Sequence, residues 1–239
     1  MNAFAAIVDV SLRGLLGRRR TILLVLLAGL PVLIALLVRV SGGRPDADRV
    51  LDTLVVRLVM PLVALIAGTG ALGSEIEDGT AVYLMVKPIP RWRIALAKIL
   101  VSAGMTAALI VPSVVITGLV LGRGPDAMTT VVGFAVACLI GGSAYASAFM
   151  ALSLFTSRAF LIGLAYVLIW EGVLAGLLEG TRFLSIRQAT LGLAEALGVD
   201  VLRDPLTPMV SVLVMAVVLA GAFLLASWRL ARFEIRGGD

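Results

Sequence analysis

The chain has 239 residues, 60% of them hydrophobic and only 15% charged, with a mean hydropathy of +1.08. Such a balance excludes an ordinary soluble domain and points to long membrane-spanning runs. The formal charge of +5 fits basic cytoplasmic loops better than nucleic-acid binding, since no basic stripe with interleaved aromatics is present. Histidine is absent and Cys138 is the single cysteine, which removes intrachain disulfides, the commonest general base and the commonest metal ligand.

In chain order, Phe4, Ile7, Val8, Leu12, Leu15 and Leu16 recur at helical spacing with Asp9, Arg13 and Arg18 between them. This predicts an amphipathic leader over 1–20, either lying in the interface or extending the first span. Six runs are apolar enough to cross a bilayer, over about 21–38, 54–73, 94–121, 128–155, 160–178 and 209–228. Pro112 marks a kink in the third. The expected fold is therefore an all-α integral membrane protein forming a single domain over 1–239. A cleaved signal peptide is disfavoured because the first run is too long and its leader too extended.

With six spans, both termini and the 74–93 loop share one side. That side holds 12 Arg and Lys against six acids, net +6, which leaves −1 of the total +5 for the other. The positive-inside rule then makes both termini cytoplasmic. The composition, rich in Ala, Val, Leu, Gly and Arg, suggests a bacterial cell membrane, plasma or inner.

The charged island between the second and third spans reads as a short helix on the membrane surface. Ser74-x-x-Glu77 has capping-box spacing, and Glu75, Glu77 and Asp78 suit the positive end of a helix dipole. Val82, Leu84 and Met85 give it an apolar face, Lys87 lies near its C-terminal end, and Pro88 and Pro90 stop it. On these grounds alone it is either a docking element or a capped linker.

The series Glu75-x-x-x-Gly79-Thr80, an aliphatic run through Leu84, Lys87-Pro88-Ile89-x-Arg91 and then Lys98 resembles the membrane subunit of ABC-2 type transporters. The span layout and the amphipathic leader are similar too, so the likeness covers nearly the whole chain. One departure is Pro90, where the family more often has a small polar residue, which stiffens the turn. The resemblance implies that the island is a coupling helix: Glu75, Glu77, Asp78, Gly79, Thr80, Val82, Leu84, Met85, Lys87, Pro88 and Arg91 would dock a separate ATP-binding-cassette ATPase subunit. The chain carries no GxxxxGK[ST] phosphate loop. ATP and Mg would therefore belong to the partner, this chain binding no cofactor and being non-catalytic alone. A second copy or homologue of the permease would complete an exporter.

Within the fifth span, Glu171 needs protein or water beside it, since a carboxylate at a span centre costs about 2.5–3.5 kcal/mol on insertion scales. It is read either as a pathway or gating group or as a structural partner. Small-residue surfaces at Gly118 and Gly122, at 141–148, and at Gly172, Gly176 and Gly180 allow close helix packing, within the subunit or between subunits. The outer segment 179–208 carries a candidate short helix through Leu191, Leu193, Ala194, Leu197 and Val199, and either caps a pathway or forms a surface loop. The main competitor is an ion-gradient-driven secondary transporter or channel, which calls for paired intramembrane charges and inverted repeats. An intramembrane enzyme lacks a nucleophile and base, and a bare membrane anchor leaves the island unexplained.

Overall fold

The computed structural model describes residues 17–43, 46–77, 90–174, 183–201 and 205–232, with side chains at all of these except 18, 19, 72–77 and 174. The described residues form an all-helical bundle. Helix α1 is Arg18–Val40. Helix α2 runs through Ala47–Val50, a π-helical stretch Leu51–Val59, and Met60–Glu77. Helix α3 is Arg91–Leu121 and α4 is Ala127–Ser153. Helix α5 joins Ala159–Ala165 to a second π-helical stretch, Tyr166–Leu174. Helix α6 is Ile186–Ala196 and α7 is Pro208–Ala231.

Five of these are long and apolar enough to cross a membrane: α1, α2, α3, α4 and α7. They overlap five of the six expected spans; α1, α2 and α7 run past both expected ends, α3 past its start, and α4 stops at Ser153, two residues short of its expected end. Pro90 explains one extension: it heads α3, its carbonyl accepting the Arg93 N–H at 2.9 Å, so the helix starts at Arg91 rather than 94. Pro112 sits inside α3, which is helical along its whole length.

The π-helical stretch in α2 has a local cause. Pro61 has no N–H to give the carbonyl four residues earlier, and its ring crowds that turn, so the preceding stretch widens to i→i+5 bonding. Farther along, Ser74 to Glu77 continue α2 instead of opening a new helix. The expected capping box is therefore not used: the ladder is unbroken from Met60, so Ser74 heads no free N–H groups.

The core lies between α2, α3 and α4, with Val55, Val59, Met60, Ile110, Phe134, Ala144 and Tyr145 buried in it. Small residues set its spacing. A Cβ on Gly68 of α2 would lie 2.6 Å from the Ala146 carbonyl of α4, so the two backbones touch there. Gly118 faces Val131, Gly142 faces Thr106 and Met60, and Gly141 faces Thr190. These small surfaces pack within the subunit. Of the glycines in the last candidate surface, Gly176 and Gly180 lie outside the described residues.

Of the expected fifth crossing, 160–178, the structure describes the part up to residue 174: α5 is one continuous helix, its Ala159–Ala165 segment running directly into Tyr166–Leu174, and 175–178 lie outside the described residues. Contacts along α4 show where the chain goes. Gly163 meets Phe149, Glu171 meets Tyr145, Thr190 meets Gly141, and Val199 meets Gly133. At 1.5 Å per residue, the stretch of α4 from Phe149 back to Gly133 is about 24 Å long. Helices α5 and α6 thus each line one half of α4, running opposite to it. Nine consecutive residues of α6, Ile186 to Ala194, are buried, so the helix expected in the outer segment is inserted among α2, α4 and α7.

Candidate functional site

Of the residues expected to dock an ATPase subunit, Asp78, Gly79, Thr80, Val82, Leu84, Met85, Lys87 and Pro88 lie outside the described residues, as does the leader over 1–16. Glu75 and Glu77 end α2, and Arg91 opens α3, so both edges of the island are placed at one end of the bundle. Lys98, about two turns into α3, is fully buried and partnered.

This end of the bundle is basic and aromatic. Arg93 lies 5.3 Å from the Trp92 ring, Arg229 5.8 Å from Phe155, and Arg232 4.3 Å from Trp228. Arg229 also donates from Nε to the Leu154 carbonyl at 3.2 Å, tying α7 to the end of α4. Arginine on exposed aromatic rings suits a membrane–water interface. The opposite end is acidic: a cavity of about 450 Å³ is lined there by Asp46, Asp48, Asp126 and Asp200, with Arg123 as the cation. No group of three or more His, Cys, Asp or Glu arranged to hold a metal occurs among the described residues.

Between the two ends lies a buried polar cluster centred on Glu171, which is only 4% exposed. Its Oε2 accepts from the Tyr145 hydroxyl. Its Oε1 accepts from the backbone N–H of Ile186 at 2.9 Å and of Arg187 at 3.4 Å, with the Tyr166 hydroxyl 3.0 Å away. Phe149 orients both tyrosines: its ring stacks on Tyr145 at 5.8 Å and meets Tyr166 edge-on at 6.5 Å. Glu171 therefore faces protein, as the insertion cost requires.

The two N–H groups that Glu171 accepts are the first two of α6. Ser185 accounts for the next two: its Oγ accepts from Gln188 N at 3.2 Å and its carbonyl from Ala189 N at 3.2 Å. The first three N–H groups of α6 are thus capped by side chains, Ala189 opens the regular ladder, and the carboxylate sits where the helix dipole favours negative charge. A second acid reaches the same turn. Asp52, on the π-helical stretch of α2, accepts from Arg187 Nη2 at 3.2 Å, both residues being buried.

Sequence reasoning found Glu171, and placed Tyr145 in a helix-packing surface, but missed Asp52, Arg187 and Tyr166. Asp52 stood just before the expected second span and Arg187 in a segment expected outside it. The available signal was Ser185 followed by an apolar periodic run, a helix start with a cap. Arg57 is exposed on α2 and donates from Nη2 to the Gly172 carbonyl at 3.0 Å.

The family described as ABC-2 family transporter protein matches residues 16–173, from the start of α1 to the end of α5, the charged island included. No curated protein matches the chain in sequence. The protein has several spans and a transporter family's sequence over well over half its length: the chain belongs to the ABC-2 family of transporter proteins, as a multi-pass membrane component.

Proposed function

We propose that this chain is the permease subunit of an ATP-driven exporter in a bacterial inner membrane, with both termini cytoplasmic. ATP and Mg act on a separate ATP-binding-cassette subunit, which docks on the 75–91 island through Val82, Leu84 and Met85 and the charges around them. The observation that carries this is the family match across an island whose two edges, Glu77 and Arg91, lie at the arginine-rich end of the bundle. The acidic opposite end supports the same orientation.

A second permease subunit, identical or homologous, completes the pathway. Arg57 supports this: an exposed arginine inside a span needs water or protein beside it, and a hydrated pathway or a neighbouring subunit on the α2–α5 face supplies either. Glu171 then stands just behind that face as a gating group.

The test is co-expression of the chain with the ATPase encoded nearest its gene, followed by membrane extraction and affinity capture. The proposal expects an ATPase and two permease subunits in one complex. A monomeric permease that moves substrate without ATP would contradict it and favour an ion-driven transporter.

A further inference from the structure

Helix α6 is held at its first turn by two acids that come from unusual backbone. Asp52 lies on the π-helical stretch Leu51–Val59 and Glu171 on the π-helical stretch Tyr166–Leu174. The two stretches are joined directly, by Arg57 Nη2 on the Gly172 carbonyl at 3.0 Å. Everything that anchors the start of α6 by charge therefore arises from two adjoining segments with i→i+5 bonding, a geometry that is rare and concentrated at functional sites.

The energetics favour a releasable arrangement over a permanent brace. A buried ion pair gives little net stability, because desolvation offsets its attraction, and apolar residues of similar volume usually serve as well or better. Its best-attested use is to fix one arrangement among alternatives. The same turn also holds buried polar atoms without partners, Arg187 Nε and Gln188 Oε1, with Trp170 Nε1 beside Glu171. Conversion of a π turn to an α turn tightens the winding by about one residue per turn and rotates the remainder of the helix by on the order of 100°. Such a rotation carries Asp52 or Glu171 off α6.

The geometry points to a latch: Asp52 and Glu171 are positioning residues that hold α6 closed over the half of the bundle opposite the arginine-rich end, and rewinding of the two π-helical stretches, coupled through Arg57 and Gly172, releases it. In the transporter assigned above, on which this rests, α6 is then the outer gate.

The test uses the chain alone in lipid nanodiscs, so its outcome is independent of ATPase docking. Thr190, fully buried on α6, carries the probe as Thr190→Cys, and native Cys138, buried on α4, serves as the internal control. Reaction of each thiol with a hydrophilic maleimide is measured by peptide mass spectrometry. With α6 latched, both thiols react slowly. Asp52→Asn should speed reaction at position 190 by roughly tenfold or more through local opening, and Glu171→Gln by about threefold, because the amide keeps an acceptor for the α6 N–H groups. Cys138 should stay protected in both. Protection at position 190 unchanged in both variants, or parallel exposure of the two thiols, would overturn the latch.

Discussion

Asp52 and Arg187 lie 135 residues apart in the chain and meet at 3.2 Å in the interior of the bundle. Their contact links the second crossing to a helix that the sequence places outside the membrane. Together with Glu171 it fixes the start of α6, between a basic end of the protein and an acidic one.

The role of Glu171 is tested by shape against charge. Glu171→Gln keeps an acceptor for Ile186 and Arg187, whereas Glu171→Leu leaves two backbone N–H groups and the Tyr145 hydroxyl without it. Each buried group left unsatisfied costs about 1–3 kcal/mol. Thermal unfolding in detergent should rank native, then Gln, then Leu, with Leu far below the others. A gating role adds that Gln impairs transport while leaving ATPase-subunit binding intact. Equal stability of Gln and Leu would remove the capping role.

The glycines give two packing predictions. Gly68→Ala puts a methyl 2.6 Å from the Ala146 carbonyl and should destabilise by about 1–3 kcal/mol as α2 and α4 part. Gly104→Ala on α3 meets nothing within 4 Å and should be neutral or stabilising by up to about 1 kcal/mol, from helix propensity. Melting temperatures of the two variants should move in opposite directions, or only the first should move.

Five long spans were legible in the sequence because each is a continuous apolar run flanked by charge or proline. The burial of α6 among the spans was not. Arg187, Gln188 and Thr190 make 186–196 look like an outer surface segment, and only the partners supplied by Asp52, Glu171 and Ser185 make its burial tolerable. Those partners are remote in sequence, so no local pattern announces them. Ser74 misled in the other direction: its spacing to Glu77 fits a cap, but the helix of the preceding span runs through it.

Topology is tested with Ala81→Cys and, separately, Ala47→Cys in a Cys138→Ala background. The charge asymmetry predicts that they label from opposite sides of the membrane, position 81 from the cytoplasm. Labelling from the same side would contradict the orientation and the crossing count between them.

The most direct measurement is binding of the ATPase subunit by a Leu84→Asp variant. A few buried apolar anchors usually dominate an interface, and a charge placed in one costs several kcal/mol, on the order of a hundredfold or more in affinity. Co-purification and ATP turnover of the complex should fall together while the variant still inserts in the membrane at the native level. Retention of the ATPase by the Leu84→Asp variant at native affinity would contradict the account, and the 75–91 island would be a linker.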